Sequence, residues 1–227
     1  MLRAALLVAG KDLRVEWRSK VGIVQVLPFA MAVLVLFAFA LDGNRSTLRD
    51  VTPGLAWIAM LLSLLLGVQR AFGPETADGA LDALRLSGLE PSGVFLGKAA
   101  ALATQLLALG MLLGIGVALF YGPDAPGVGG WVVLVTTVVV ATTGLAAVGT
   151  LYGALSAGIR VRDTLLPILV LPVVMPVLIA ATRAVEASLG IRAELTDAWP
   201  WVGLLAVFTL AYTALGLLAF GPLLEET

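Results

Sequence analysis

The chain has 227 residues, 60% of them hydrophobic and 13% charged, with a mean hydropathy of +1.03 and a formal net charge of −1. Because soluble domains carry about 25% charged residues, this composition excludes an ordinary soluble fold, and the near-zero charge gives no reason to expect nucleic acid as a partner. The chain contains no cysteine and no histidine, which excludes disulfides, thiolate chemistry, histidine acid–base catalysis and the commonest zinc and haem ligands.

The N-terminal segment, residues 2–18, predicts an amphipathic helix that lies on the membrane surface. Leu6, Leu13 and Trp17 fall near one face, and charged residues cover the rest. A helix with tryptophan on its apolar face and basic residues opposite is typical of the membrane interface. The alternative is a charged flank that only fixes the topology.

Six segments that are long, apolar and free of charge follow. A spanning helix needs about 20 mostly apolar residues, and unpaired backbone groups are not tolerated in lipid. The sequence therefore predicts an all-α membrane protein, with residues 1–227 forming a single transmembrane domain built as a bundle of six helices. The predicted spans are residues 21–41, 51–69, 99–121, 131–157, 164–183 and 199–221.

Positive charge is unevenly divided between the two sides of this bundle. With six spans both termini lie on one side, which carries ten lysines and arginines, whereas the other side carries Arg45, Arg49, Arg183 and Arg192. Since positively charged loops stay in the cytoplasm, the sequence predicts that both termini are cytoplasmic.

Tryptophans stand near several predicted helix ends. Trp199 and Trp201 begin the last span, and Trp57 and Trp131 are predicted to play the same part elsewhere. Tryptophan is enriched at headgroup depth.

Small residues recur every fourth position in the fourth span, at Gly149, Gly153 and Ala157. This spacing lets helix backbones approach closely, so it predicts helix packing.

The fifth span contains Pro167, Pro172 and Pro176. Pro167 suits the first turn of a helix, whereas Pro172 and Pro176 fall in its interior and remove backbone hydrogen bonds there. The sequence predicts a kinked span, which is either static or a flexible element that moves with a partner.

Residues 70–98 form a cytoplasmic loop that is long for a connection between antiparallel helices. A short helix is predicted inside it, with Leu81 and Leu84 on one face. Two turns of helix are not stable alone in water, so this helix rests either on the protein's own membrane surface or in the groove of a cytoplasmic partner. The residues of the predicted interface are Glu75, Asp78, Leu81, Asp82, Leu84 and Arg85.

Sequence motifs for catalysis are absent. Gly93, Gly97 and Lys98 are too closely spaced for a phosphate loop, and Ala99 stands where serine or threonine should bind magnesium. Without histidine or cysteine, a serine or cysteine protease has no base. We therefore expect a non-catalytic subunit with no metal site.

A surface helix, six spans and a helical first cytoplasmic loop resemble the membrane subunits of ABC-2-type exporters. More narrowly, the chain resembles the haem exporter protein B (CcmB) family of bacterial cytochrome c maturation. The stretches that carry this resemblance are TPGLAWIAMLLSLLLGVQRAF, DGALDALRLS, GK and LLPILVLPVVMPVLI, at residues 52–72, 78–87, 97–98 and 165–179.

This resemblance implies a multi-pass protein of the bacterial inner membrane, the permease subunit of an ABC transporter that delivers haem for c-type cytochrome assembly. A separate CcmA-like ATPase would bind and hydrolyse ATP, and residues 69–87 would be the coupling helix that receives its stroke. CcmC- and CcmD-like membrane proteins would handle haem and pass it to a CcmE-like chaperone outside. Haem would be the cargo of the complex, with no cofactor bound directly by this chain.

Two alternatives stay open at this point. One is an ABC-2-type permease for another cargo, such as a drug, a lipid or a polysaccharide. The other is a membrane scaffold that works without any ATPase, for which the loop would be expendable.

Overall fold

The computed structural model describes residues 1–19, 27–40, 45–77, 90–121, 126–156 and 162–226. Regular structure within these ranges is entirely helical, and the helices have these bounds: α1 Leu2–Ser19, α2 Leu27–Ala40, α3 Arg45–Ala77, α4 Pro91–Tyr121, α5 Val128–Ser156, α6 Arg162–Ser188, a 3₁₀ turn Leu195–Asp197, and α7 Ala198–Glu226.

Five of these helices, α3 to α7, are long and apolar enough to cross a membrane. Of the first predicted span, the structure describes residues 27–40, and these 14 residues of α2 are shorter than a full crossing. The all-helical membrane architecture is therefore confirmed with five candidate spans, and the sixth span stays a prediction.

Helix α5 lies at the centre of the bundle, where it packs against α3, α4, α6 and α7. Leu145, Ala146 and Val148 on it are fully buried. Helix α7 is at the periphery and turns large apolar side chains outward, as expected for a surface in contact with lipid: Leu204, Val207, Leu210 and Leu218.

Helix α1 lies along the first turns of α4. An ideal Cβ atom built on Gly93 would lie 2.7 Å from the Cβ of Ala4, and one built on Gly97 would lie 2.7 Å from the carbonyl oxygen of Ala5. The two glycines thus let the helix backbones touch. Leu6 and Trp17 of α1 are exposed within this chain and Leu13 is partly buried, and the position of α1 at the membrane interface stays a prediction.

Several helices extend beyond the predicted spans. Helix α3 begins at Arg45 and continues to Ala77, and α4 begins at Pro91, so the predicted 70–98 loop is helical at both ends. Helix α6 similarly runs to Ser188. The charge-free stretch marks where a helix crosses lipid, but a helix can continue into the interface with charged side chains.

The longer α3 also corrects the prediction for Trp57. This residue is the thirteenth of α3 and is 4% exposed in the core, so it is not an interfacial anchor. Trp131 and Trp199 stand near the starts of α5 and α7 and are half exposed, as an interfacial position requires.

Helix α6 ends in a glycine-capped turn. Gly190 has a φ of 63°, and the N–H of Ile191 donates to the carbonyl oxygen of Glu186 at 2.8 Å. This is the Schellman arrangement, in which glycine accepts the left-handed conformation without steric cost. The next residue but one, Arg192, also has a positive φ, of 58°, and its Nη2 lies 2.6 Å from Oδ2 of Asp50 at the start of α3.

Candidate functional site

One lysine is buried where α1, α3 and α4 meet. Lys98, the eighth residue of α4, is 2% exposed. Its ammonium group donates a hydrogen bond to the carbonyl oxygen of Ala71 in α3 at 3.1 Å and lies 3.5 Å from Oδ2 of Asp12 in α1. We call Asp12, Ala71, Phe72 and Lys98 the Lys98 joint.

Phe72 connects this joint to the centre of the bundle. The ammonium group of Lys98 lies 4.6 Å from the centroid of the Phe72 ring, within the range of a cation–π interaction. On the other side the ring covers Gly153 of α5, where an ideal Cβ would lie 2.6 Å from Cε2 of Phe72. Four helices, α1, α3, α4 and α5, therefore meet in one chain of contacts.

The charges of the joint balance one another. Asp12 is partly buried, and its Oδ1 lies 3.1 Å from the ammonium group of Lys11, which is mostly exposed. A buried ammonium group is stable in an apolar region only with a carboxylate and hydrogen-bond acceptors around it. Asp12 and the Ala71 carbonyl supply these for Lys98.

The N-terminus of α1 is held at the start of α4. The amino group of Met1 contacts the carboxylate of Glu90, which also accepts a hydrogen bond from Ser92 Oγ at 2.9 Å. Both hydrogen bonds lower the pKa of Glu90 below its usual value, and the bond from the amino group has the larger effect. Helix α1 thus runs parallel to the start of α4, with Met1 beside Glu90 and Asp12 beside Lys98.

In the sequence, the predicted coupling segment connects two of the helices that meet at the Lys98 joint. Helix α3 leaves Ala71 and Phe72 and ends at Ala77, and the chain returns at Glu90 to reach Lys98 in α4. Glu75 belongs to the last turn of α3. The other predicted interface residues lie outside the described part of the chain: Asp78, Leu81, Asp82, Leu84 and Arg85.

The predicted packing residues of α5 lie against α3. An ideal Cβ on Gly149 would lie 2.7 Å from Cγ2 of Val68, and Gly153 faces Phe72 and Val68. Ala157, the third residue of the pattern, lies outside the described residues.

The three prolines of the fifth span all lie inside α6, which is assigned as one continuous helix. Because α6 begins at Arg162, Pro167 is its sixth residue and not part of the first turn. Pro172 and Pro176 are exposed on the outside of the bundle.

Sequence reasoning missed Asp12, Phe72 and Lys98. The signal was present, since Lys98 is an isolated charge that precedes an uninterrupted apolar stretch, but the sequence gives no indication that Asp12 and Phe72 are its partners. Among the described residues no group of three carboxylate, histidine or cysteine side chains is arranged to hold a metal ion. The arrangement can hold helices together and transmit movement between them.

The sequence was compared with known proteins. Residues 3–226 match the profile of the CcmB protein family. The chain is 33% identical to heme exporter protein B of Paracoccus denitrificans over 217 residues, which are 93% of each chain. It is 33% identical to heme exporter protein B of Haemophilus influenzae over 180 residues, 78% of this chain and 79% of that one. The Escherichia coli K12 protein of the same name is 36% identical over 177 residues, 78% of this chain and 79% of that protein.

Proposed function

Because the chain belongs to the CcmB protein family, we propose that it is the membrane subunit of an ABC transporter that exports haem for c-type cytochrome assembly. The observation that carries this proposal is the similarity to heme exporter protein B along nearly the whole chain. A bundle with five candidate spans suits a permease. Together with the first predicted span, residues 21–41, which makes the number of spans six, the positive-charge asymmetry supports both termini in the cytoplasm.

ATP hydrolysis belongs to a separate, CcmA-like subunit in this proposal, because the sequence has no phosphate-binding loop. The ATPase would dock on the segment between α3 and α4. Leu81 and Leu84 would enter its groove, with Glu75, Asp78, Asp82 and Arg85 around them. A short amphipathic helix in a groove is a common mode of protein recognition.

The Lys98 joint could transmit movement of the ATPase to the transmembrane helices. A displacement of the segment between α3 and α4 would move the ends of these two helices, which Lys98 holds together. Phe72 then presses on Gly153, and α5 contacts α6 and α7. We propose that α6, with its three prolines, yields in this movement and relays it to CcmC- and CcmD-like neighbours, which pass haem to a CcmE-like chaperone.

Haem in this proposal is cargo. With no histidine in the sequence, the chain lacks the commonest axial ligand for haem iron. This fits the proposed division of labour, in which partner subunits bind haem and this subunit supplies the mechanical coupling.

The proposal is tested by purifying the tagged protein gently from its native membrane and identifying each co-purified chain by mass spectrometry. An untagged strain is the control for background binding. We expect a small ABC ATPase together with haem-handling membrane proteins, and loss of mature c-type cytochromes when the gene is deleted.

Other outcomes separate the alternatives. An ATPase without haem-handling partners, combined with normal cytochromes after deletion, would indicate an exporter of another cargo. Recovery without any ATPase would contradict the coupling mechanism and favour a membrane scaffold.

A further inference from the structure

A cavity of about 680 Å³ lies between the second half of α1 and the adjoining faces of α3 and α4. Among the described residues its walls are mostly apolar, with several leucines of α4 along one side. The charged side chains that line it are Glu16 of α1 and Arg70 of α3, and Trp17 stands beside them. The cavity is therefore amphipathic, with Glu16 on its α1 wall and Arg70 on its α3 wall, and both side chains also have contacts within the protein.

The dimensions of the cavity match one leaflet of a bilayer. Leu102 and Leu112, which both line it, are ten residues apart on α4, or about 15 Å along a helix. One leaflet is half of a hydrocarbon core of about 30 Å. Arg70 directly follows the charge-free stretch of α3, so it lies at headgroup depth, where tryptophans such as Trp17 also concentrate.

The cavity is also open toward lipid. Ala108 and Leu112 are exposed on a helix long and apolar enough to span the membrane, and both line the cavity. An acyl chain can therefore enter sideways from the bilayer while its headgroup stays beside Glu16 and Arg70.

We propose that this cavity is a binding site for one phospholipid with a zwitterionic, amine-bearing headgroup, namely phosphatidylethanolamine. The acyl chain lies along the leucines of α4. The lipid phosphate accepts hydrogen bonds from the Arg70 guanidinium, which is suited to phosphate oxygens. The lipid ammonium group donates to the Glu16 carboxylate. Phosphatidylglycerol lacks the ammonium group, and phosphatidylcholine has no N–H to donate.

Native mass spectrometry of the full-length protein in detergent tests this site. The protein is mixed with equal amounts of phosphatidylethanolamine, phosphatidylglycerol and phosphatidylcholine, and the lipid adducts are counted. We expect one retained phosphatidylethanolamine. In Glu16→Gln the preference for it over phosphatidylglycerol should fall about tenfold, as expected for the loss of one charge-assisted contact. Arg70→Gln should weaken both lipids.

A matched pair of variants separates this site from general lipid contact. Ala108→Trp fills the cavity, whereas Ala214→Trp places the same side chain on the exposed surface of α7. We expect loss of the retained lipid in the first variant and no change in the second. Equal retention of all three lipids by the unmodified protein, a preference for phosphatidylglycerol, or equal losses in both tryptophan variants would each overturn the proposal. These readouts are independent of haem export.

Discussion

The ammonium group of Lys98 donates a hydrogen bond to the carbonyl oxygen of Ala71 at 3.1 Å, across 27 residues of sequence. This contact closes the chain into a ring at the base of the segment proposed to receive the ATPase. Because Asp12 and Phe72 touch the same ammonium group, α1 and the centre of the bundle are tied to the ring.

The ion pair of the joint is tested by a double-mutant cycle. Asp12→Asn leaves a buried ammonium group without its carboxylate, and Lys98→Met removes the charge but keeps the apolar stem. We expect each to lower the free energy of unfolding, and the double variant to lose less than the sum by about 0.5–3 kcal/mol, since the residues are in contact.

Chemical denaturation of the purified protein in detergent measures the cycle. Lys11→Met, at the exposed partner of Asp12, is the control and should change stability by at most about 0.5 kcal/mol. Additive losses for Asp12 and Lys98 would show that the two side chains do not interact.

The contact between α3 and α5 is tested at Gly153. An alanine there would bring its Cβ within 2.6 Å of the Phe72 ring, so the helices would have to separate. We expect Gly153→Ala to cost about 1–3 kcal/mol, the usual price of overpacking, and to lower the thermal midpoint. Gly114→Ala in α4 is the control, because nothing lies within 4 Å of its added Cβ. A midpoint that falls equally in both variants would contradict close packing at Gly153.

The ATPase-docking segment is tested with Leu81→Asp and Leu84→Asp together. Two carboxylates on the apolar face should prevent docking in an apolar groove, so we expect the ATPase to be lost on co-purification and cytochrome maturation to fail. Ala83→Asp adds a carboxylate on the opposite face of the predicted helix and should leave both unchanged. Normal assembly and ATPase activity in the leucine double variant would refute the coupling role of this segment.

The prolines of α6 are tested by Pro172→Ala and Pro176→Ala. Each restores a backbone donor inside the helix, so we expect equal or greater thermal stability but a lower yield of mature cytochrome, because α6 would yield less. Pro222→Ala, near the end of α7, serves as the comparison and should leave the yield unchanged. Full cytochrome yield in both α6 variants would mean that the prolines cause only a static bend.

The left-handed backbone at Arg192 gives a separate prediction. Arg192→Ala loses the ion pair with Asp50 and keeps the unfavourable φ, whereas Arg192→Gly loses the ion pair but relieves the backbone. We expect the glycine variant to be the more stable of the two by about 1 kcal/mol. Asp50→Asn should cost at most about 1 kcal/mol, since the pair is solvent-exposed. Thermal unfolding at low and high salt measures all three, and equal stability of the alanine and glycine variants would contradict backbone strain.

Helix type and approximate position could be predicted from the sequence because apolar segments without charge have few other solutions in lipid. The ends of the helices could not be predicted, because each span was taken to end at its first charged residue. Arg70 and Lys98 were therefore placed in a loop, although both lie within helices. The pairing of Lys98 with Asp12 is a tertiary contact between distant segments. The local sequence also could not show that Trp57 faces the core, because its neighbours in the sequence are apolar whether it lies in the core or at the membrane interface.

The ring closed by Lys98 allows the proposed docking segment to change in length and sequence without a change in the helices of the bundle. A loop whose ends are held by the rest of the fold can gain residues at small entropic cost, about 0.6 kcal/mol for each doubling of its length. The segment between α3 and α4 can therefore change in length and composition along with an ATPase surface while the helices keep their places. On the proposed docking mode, changes in this one short stretch would adapt the protein to a different ATPase without changes in the helices that cross the membrane.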